Sequence, residues 1–206
     1  PRRHDPPDPS RLKQYNPVGS YRQTFTVPAD WKGKRIVLHF GGVNSAAYYW
    51  LNGEKIGYGE DSKLPTEFDI TGKLRDGENT LAVEVYRWSD GSYLEDQDFF
   101  RLSGIEREVY LYATPKVHIF DYQVQTDLTN NYTDALLSVT VDVKNHFPGL
   151  QSGEHSVEMK LSDKSGKMIA FGKVKTGIHL KENAQVVLKY EILAPAKWTA
   201  ETPNLY

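Results

Sequence analysis

Between two strand-like runs the sequence sets Arg87-Trp88-Ser89-Asp90-Gly91-Ser92-Tyr93-Leu94-Glu95-Asp96-Gln97-Asp98, in which four acids stand beside two aromatic rings. Burying carboxylates without partners is expensive. A loop that places Glu95, Asp96 and Asp98 next to Tyr93, Phe99 and Phe100 therefore suits a polar ligand that also has apolar faces. A sugar has both, with hydroxyls for the acids and C–H faces for the rings. A solvated loop with aromatics tucked beneath it would have the same composition, so the residue types alone leave both readings open. In the same way Trp88 and Tyr93 suit either core support or sugar platform, and Asn44, after Gly41-Gly42, suits a turn.

Other chemistries are poorly supplied. The six histidines are scattered and no pair has the spacing of a zinc site. There is no cysteine, which excludes disulfides, thiolate metal sites and a cysteine nucleophile. Neither Gly-x-Ser-x-Gly nor a Gly-rich phosphate cradle occurs. Glycoside hydrolysis needs two carboxyls across the scissile bond, about 5 to 5.5 Å apart for retention and about 6.5 to 9.5 Å for inversion. Glu95, Asp96 and Asp98 are too close in sequence to flank one ring, so a single loop makes a single wall.

A net charge of −2 with balanced acids and bases predicts no nucleic-acid partner and no basic membrane-binding surface. No run approaches the roughly 18 apolar residues of a membrane span, and Pro1-Arg2-Arg3-His4-Asp5-Pro6-Pro7 has no apolar targeting core. Localisation stays open between cytoplasm and periplasm, with the cytoplasm preferred.

The elements that must hold the acidic stretch read as strands throughout. Residues 1–18, rich in proline, form an extended lead-in. From Tyr21 apolar residues alternate with polar ones: Tyr21, Gln23, Phe25 and Val27; Ile36, Leu38 and Phe40; Leu81, Val83 and Val85; Val109, Leu111 and Ala113. Asn52-Gly53 between Tyr48-Tyr49-Trp50-Leu51 and Glu54-Lys55-Ile56 predicts a type I′ hairpin, whose two turn positions both need φ > 0, and Asp76-Gly77 predicts another turn. A second series runs through Val117, Ile119, Tyr122 to Val124, Leu137 to Val143, Val157 to Leu161 and Val186 to Ile192, with a turn at Ser165-Gly166. Strands at this spacing predict an immunoglobulin-like sandwich lacking the usual disulfide. Pro115 marks the boundary, giving domains at 19–115 and 116–206, closely docked.

Taken with Gly42-Val43-Asn44-Ser45-Ala46, Leu51-Asn52-Gly53, Gly57-Tyr58-Gly59-Glu60-Asp61-Ser62, Pro65-Thr66-Glu67-Phe68-Asp69-Ile70 and Ser103-Gly104-Ile105, the acidic stretch resembles the N-terminal part of the β-galactosidases of glycoside hydrolase family 2. The resemblance is ordered from Gly19 to Pro115, weakens, and returns at Lys197-Trp198 and Pro203-Asn204-Leu205-Tyr206. It implies an all-β chain, a jelly-roll galactose-binding-type domain followed by an immunoglobulin-like sandwich. The catalytic glutamates would belong to a (β/α)8 barrel that this chain does not include, so the chain alone is expected to be inactive.

By the same resemblance, Asn44 corresponds to an asparagine that contacts galactose, and Asp98 to an aspartate that reaches a sugar hydroxyl and helps hold a sodium ion completed by the barrel. Trp88, Tyr93 and Phe99 would support the site. Phe99-Phe100 departs from the methionine–tryptophan pair of close relatives but keeps an apolar wall. Magnesium would have its ligands outside this chain. The implied partners are a β-galactoside and the parent's own barrel, in a parent that forms homo-oligomers. A stand-alone carbohydrate-binding module and a purely structural sandwich pair are the competing readings.

Overall fold

The computed structural model describes residues 15–94, 100–150, 153–178 and 182–206. The chain is all-β, with one short helix among the described residues, and divides into two units, Pro1–Thr114 and Pro115–Tyr206.

In the first unit the strands are β1 (Val18–Thr26), β2 (Arg35–Phe40), β3 (Val43–Asn44), β4 (Ala46–Leu51), β5 (Glu54–Gly59), β6 (Thr66–Asp69) and β7 (Glu78–Tyr86). The helix α1 (Gly91–Leu94), β8 (Gly104–Ile105) and β9 (Val109–Thr114) follow. One sheet has the order β1-β7-β4-β5 and the other β6-β2-β9, while β3 and β8 form a small ladder of their own. Every pairing is antiparallel. The period-two pattern dictates the layers: Ile36, Leu38 and Phe40 from one sheet and Tyr49, Leu51, Leu81, Val83 and Val85 from the other share a single buried cluster. Tyr49 is its centre, fully buried with its ring 4.7 Å from both Phe40 and Phe68. A Cβ on Gly57 would run into the Phe68 ring, so glycine is what lets β5 lie against β6.

The predicted hairpin forms as read, with Asn52 at φ 54° and Gly53 at φ 87° joining β4 to β5. Its asparagine also reaches inward. Asn52 Nδ2 donates to Asn79 Oδ1 at 2.8 Å, and Thr80 N–H donates to Asn52 Oδ1 at 3.0 Å. Asn79, fully buried, further accepts from Arg75 N–H at 2.9 Å and donates to the Arg75 and Gly77 carbonyls at 3.1 and 3.2 Å.

The second unit holds β10 (Val117–Thr129), β11 (Asp134–Asn145), β12 (Ser156–Ser162), β13 (Met168–Lys175) and β14 (Asn183–Ile192). Their sheets are β10-β11-β14 and β12-β13, giving the immunoglobulin-like sandwich. Leu137, Val139, Val141 and Val143 of β11 pack with Val157, Val186 and Leu188 in its core. Strand β13 was not among the strands expected from the sequence; its Met-Ile-Ala-Phe start shows no alternation. Its pairing with β12 still closes over the turn at Gly166, where φ is 83°. On β10, the partners of those buried β11 residues point to the same side of the sheet yet are bare: Ile119 (opposite Val143), Tyr122 (opposite Val141) and Val124 (opposite Val139) are 54%, 67% and 54% exposed. The core covers β11 and β14 and, on β10, reaches Val117 at its start but not the row from Ile119 to Val124.

Among the described residues no helix is long and apolar enough to cross a membrane.

Candidate functional site

The acidic stretch leaves β7 beside the β3–β4 junction, because β7 is the central neighbour of β4 and Ser45 N–H donates to the Tyr86 carbonyl at 3.0 Å. What the sequence presented as one loop contains the turn of helix α1, held by Ser92 N–H to Ser89 O at 3.1 Å and Tyr93 N–H to Asp90 O at 3.0 Å. A run of four residues is too short to show a helical period, which is why the pattern did not give it away.

Asn44 sits on β3 opposite Gly104 and is 7% exposed, and its peptide bond to Ser45 is cis. Trp88 is fixed from two sides. The Asn16 side chain brackets its backbone, donating from Nδ2 to Trp88 O at 2.8 Å and accepting from Trp88 N–H at 3.0 Å, while the Arg87 guanidinium lies 4.8 Å from its ring. With one ring face occupied by Arg87, Trp88 is better placed as a support than as an open platform. Tyr93 on α1 is 45% exposed. Asp98 and Phe99 lie outside the described residues.

The residues just beside these three meet in a knot of hydroxyls. Ser45, which follows Asn44, hydrogen-bonds Ser89, which follows Trp88, and also Ser92, which precedes Tyr93, the latter at 3.1 Å between oxygens. Ser92 Oγ also accepts from Ser89 N–H at 3.1 Å, and the Ser92 carbonyl accepts from Arg101 Nη1. Ser45 and Ser92 are 3% and 6% exposed, so the knot is sheltered from competing water.

Glu60 at the end of β5 buttresses the same turn. It accepts from Gly91 N–H at 3.2 Å and from the Tyr58 hydroxyl at 3.0 Å. Burial first, and then the Glu60 hydrogen bond and charge, push the Tyr58 hydroxyl up to about 12, so it stays a donor at neutral pH. Asp61, next in sequence, caps the following turn by accepting from Lys63 and Leu64 N–H, both at 3.0 Å. On the outer face of this sheet Tyr48, Trp50, Tyr58 and Tyr86 cluster, with ring centroids 4.7 to 6.0 Å from Tyr48. The Lys55 ammonium lies 3.9 Å above the Tyr48 ring. Among the described residues no three His, Asp or Glu side chains gather where they could hold a metal ion.

Both units of the chain are similar to known proteins. The family described as "Glycosyl hydrolases family 2, sugar binding domain" matches residues 4–115, and "Glycosyl hydrolases family 2" matches residues 117–206. The chain belongs to glycosyl hydrolase family 2. Within that family it is 50% identical over 193 residues to a β-galactosidase of Priestia megaterium, covering 94% of this chain and 19% of that protein. It is 43% identical to a β-galactosidase of Clostridium acetobutylicum, covering 98% of this chain and 22% of the relative. The chain thus spans about a fifth of the length of the curated relatives it matches. Among solved structures, a β-glucuronidase of Bacteroides uniformis aligns with 92% of this chain and 23% of its own, at 27% identity and a TM-score of 0.76. A family 2 member from Bacteroides cellulosilyticus aligns over 91% and 25%, at 26% identity and a TM-score of 0.71.

Proposed function

We propose that this chain is the non-catalytic N-terminal portion of a retaining β-galactosidase and supplies one wall of its galactose pocket. The observation that carries this reading is the 50% identity, over nearly the whole chain, to a β-galactosidase. The first unit brings binding chemistry. Asn44 offers an amide that both donates and accepts, suited to a sugar hydroxyl, and it sits 7% exposed beside the hydroxyl knot. Asp98 accepts hydrogen bonds from a second hydroxyl, with Phe99 and Tyr93 beside it and Trp88 holding the turn. The second unit acts as a spacer towards a (β/α)8 barrel that carries the acid/base and nucleophile carboxyls. Sodium, where bound, would provide a hard cation that a carboxylate oxygen such as that of Asp98 can ligate.

The test is kinetic. The full-length polypeptide carrying this segment is expected to hydrolyse aryl β-galactosides with retention, while the 206-residue chain gives no turnover. Asn44→Ala in the full-length polypeptide should raise KM for galactosides by roughly 10- to 100-fold, the cost of leaving one sugar hydroxyl unpaired. Turnover by the 206-residue chain, or an unchanged KM in Asn44→Ala, would sink the reading.

A further inference from the structure

The hydroxyl knot joins segments that the sequence keeps far apart. Ser45 belongs to the β3–β4 junction, Ser89 and Ser92 to the turn around α1, and Arg101 reaches Ser92 from beyond it. Ser92 is the hub: its hydroxyl bonds Ser45 Oγ and accepts from Ser89 N–H, its own N–H donates to the Ser89 carbonyl, and its carbonyl accepts from Arg101. Three of the residues singled out as sugar-facing or supporting are the immediate chain neighbours of knot members: Asn44 of Ser45, Trp88 of Ser89, and Tyr93 of Ser92. A residue one peptide unit from a buried hydrogen bond has little freedom to wander.

We propose that Ser92, acting through Ser45, is a positioning residue that fixes Asn44 for sugar binding. This rests on the sugar-binding reading of Asn44 given above. Serine suits the task because one hydroxyl can donate once and accept twice, which lets a single small side chain tie two strands and a turn together. The consequence is that the pocket wall is preorganised before any ligand arrives, and binding need not order it.

The link itself is tested in the 206-residue chain by NMR. Ser92→Ala and Ser45→Ala are expected to shift or broaden the Asn44 side-chain amide resonances while leaving those of Asn79, which lies outside the knot, in place. Ser92→Thr, which keeps the hydroxyl, should restore them in large part. Unmoved Asn44 resonances in both alanine variants would overturn the proposal. Its effect on binding is tested in the full-length polypeptide. Ser92→Ala should raise KM for galactosides roughly tenfold with kcat within about twofold, and should add less than about twofold to KM once Asn44→Ala is present. Equal factors with and without Asn44 would mean that Ser92 serves general stability and not position. Should Ser92→Ala fail to fold, Ser45→Ala carries the same cycle, since it removes only the cross-link. If Asn44→Ala alone leaves KM unchanged, the sugar-binding reading fails, while the resonance shifts still decide whether the knot fixes Asn44.

Discussion

Asn79 in the first unit and Asn145 in the second are both buried asparagines that tie loops to strands. Asn79 holds four hydrogen bonds to two segments, the Asn52 hairpin and the Arg75–Gly77 loop, and stands behind the hairpin at Asn52-Gly53. Asn145 donates to the Ile178 carbonyl at 3.2 Å and accepts from Phe147 N–H at 3.0 Å at the end of β11. The contrast between the units lies in their cores. The first unit encloses Tyr49 and Phe40 between two sheets of three and four strands, whereas the second sets two strands against three and leaves the apolar side of β10 to water. The unit that carries the candidate site is the one whose core is enclosed between its two sheets. An enclosed scaffold holds a binding residue in place before any ligand arrives.

The sharpest way to break this contrast is Asn79→Ala. It strands the donors and acceptors that Asn79 now satisfies, so the first unit should lose on the order of 3 kcal/mol or more. Denaturant unfolding followed by tryptophan fluorescence, with three of the four tryptophans in this unit, reads the change. A loss below about 1 kcal/mol would mean that water replaces the network without penalty. Next comes a pair within the second unit. Val141→Ala removes two methyls from the core and should cost about 2 kcal/mol, while Val124→Ala on the neighbouring strand should change stability by less than about 0.5 kcal/mol. Equal costs would show that β10 is covered in solution.

The smallest effect is expected from acid. In the first unit, burial pushes the Asp69 carboxyl up, but the Thr71 hydroxyl and N–H and the Arg35 guanidinium outweigh it and hold the group below its ordinary range. In the second, the Asn130 amide and then the Ala194 N–H hold Asp134 down in the same way. Both groups have folded pKa values below the unfolded ones, so their stabilisation is complete above about pH 4 and fades as the pH falls through the folded values. Thermal melts between neutral pH and acid should show Tm falling only below about pH 4 from these groups, and Asp69→Asn should flatten that slope.

Much of this was legible beforehand for reasons that can be named. Alternation at Leu81, Val83 and Val85 and at Leu137 to Val143 marks half-buried strands, because a strand places successive side chains on opposite faces. Asn52-Gly53 marks its turn because few residues accept φ > 0. Asn44 and the acidic stretch stand out by residue type and by the ordered motifs around them. What sequence could not show depends on contacts between distant segments. The serine knot joins positions 44 and 47 residues apart, and Asn16 meets Trp88 across 72. Nothing about an isolated serine, or an asparagine in a proline-rich lead-in, announces such a partner. Strand β13 escaped because its first residues do not alternate, and it owes its place to the hairpin with β12.

The bare row on β10 has a practical side. Tyr122 stands in it, and its ring would pass from water to an apolar contact if any surface came to lie over that strand. A fluorine label on this one ring would turn β10 into a resonance probe that reports occupancy, so the least finished part of the molecule would serve as its own gauge of assembly.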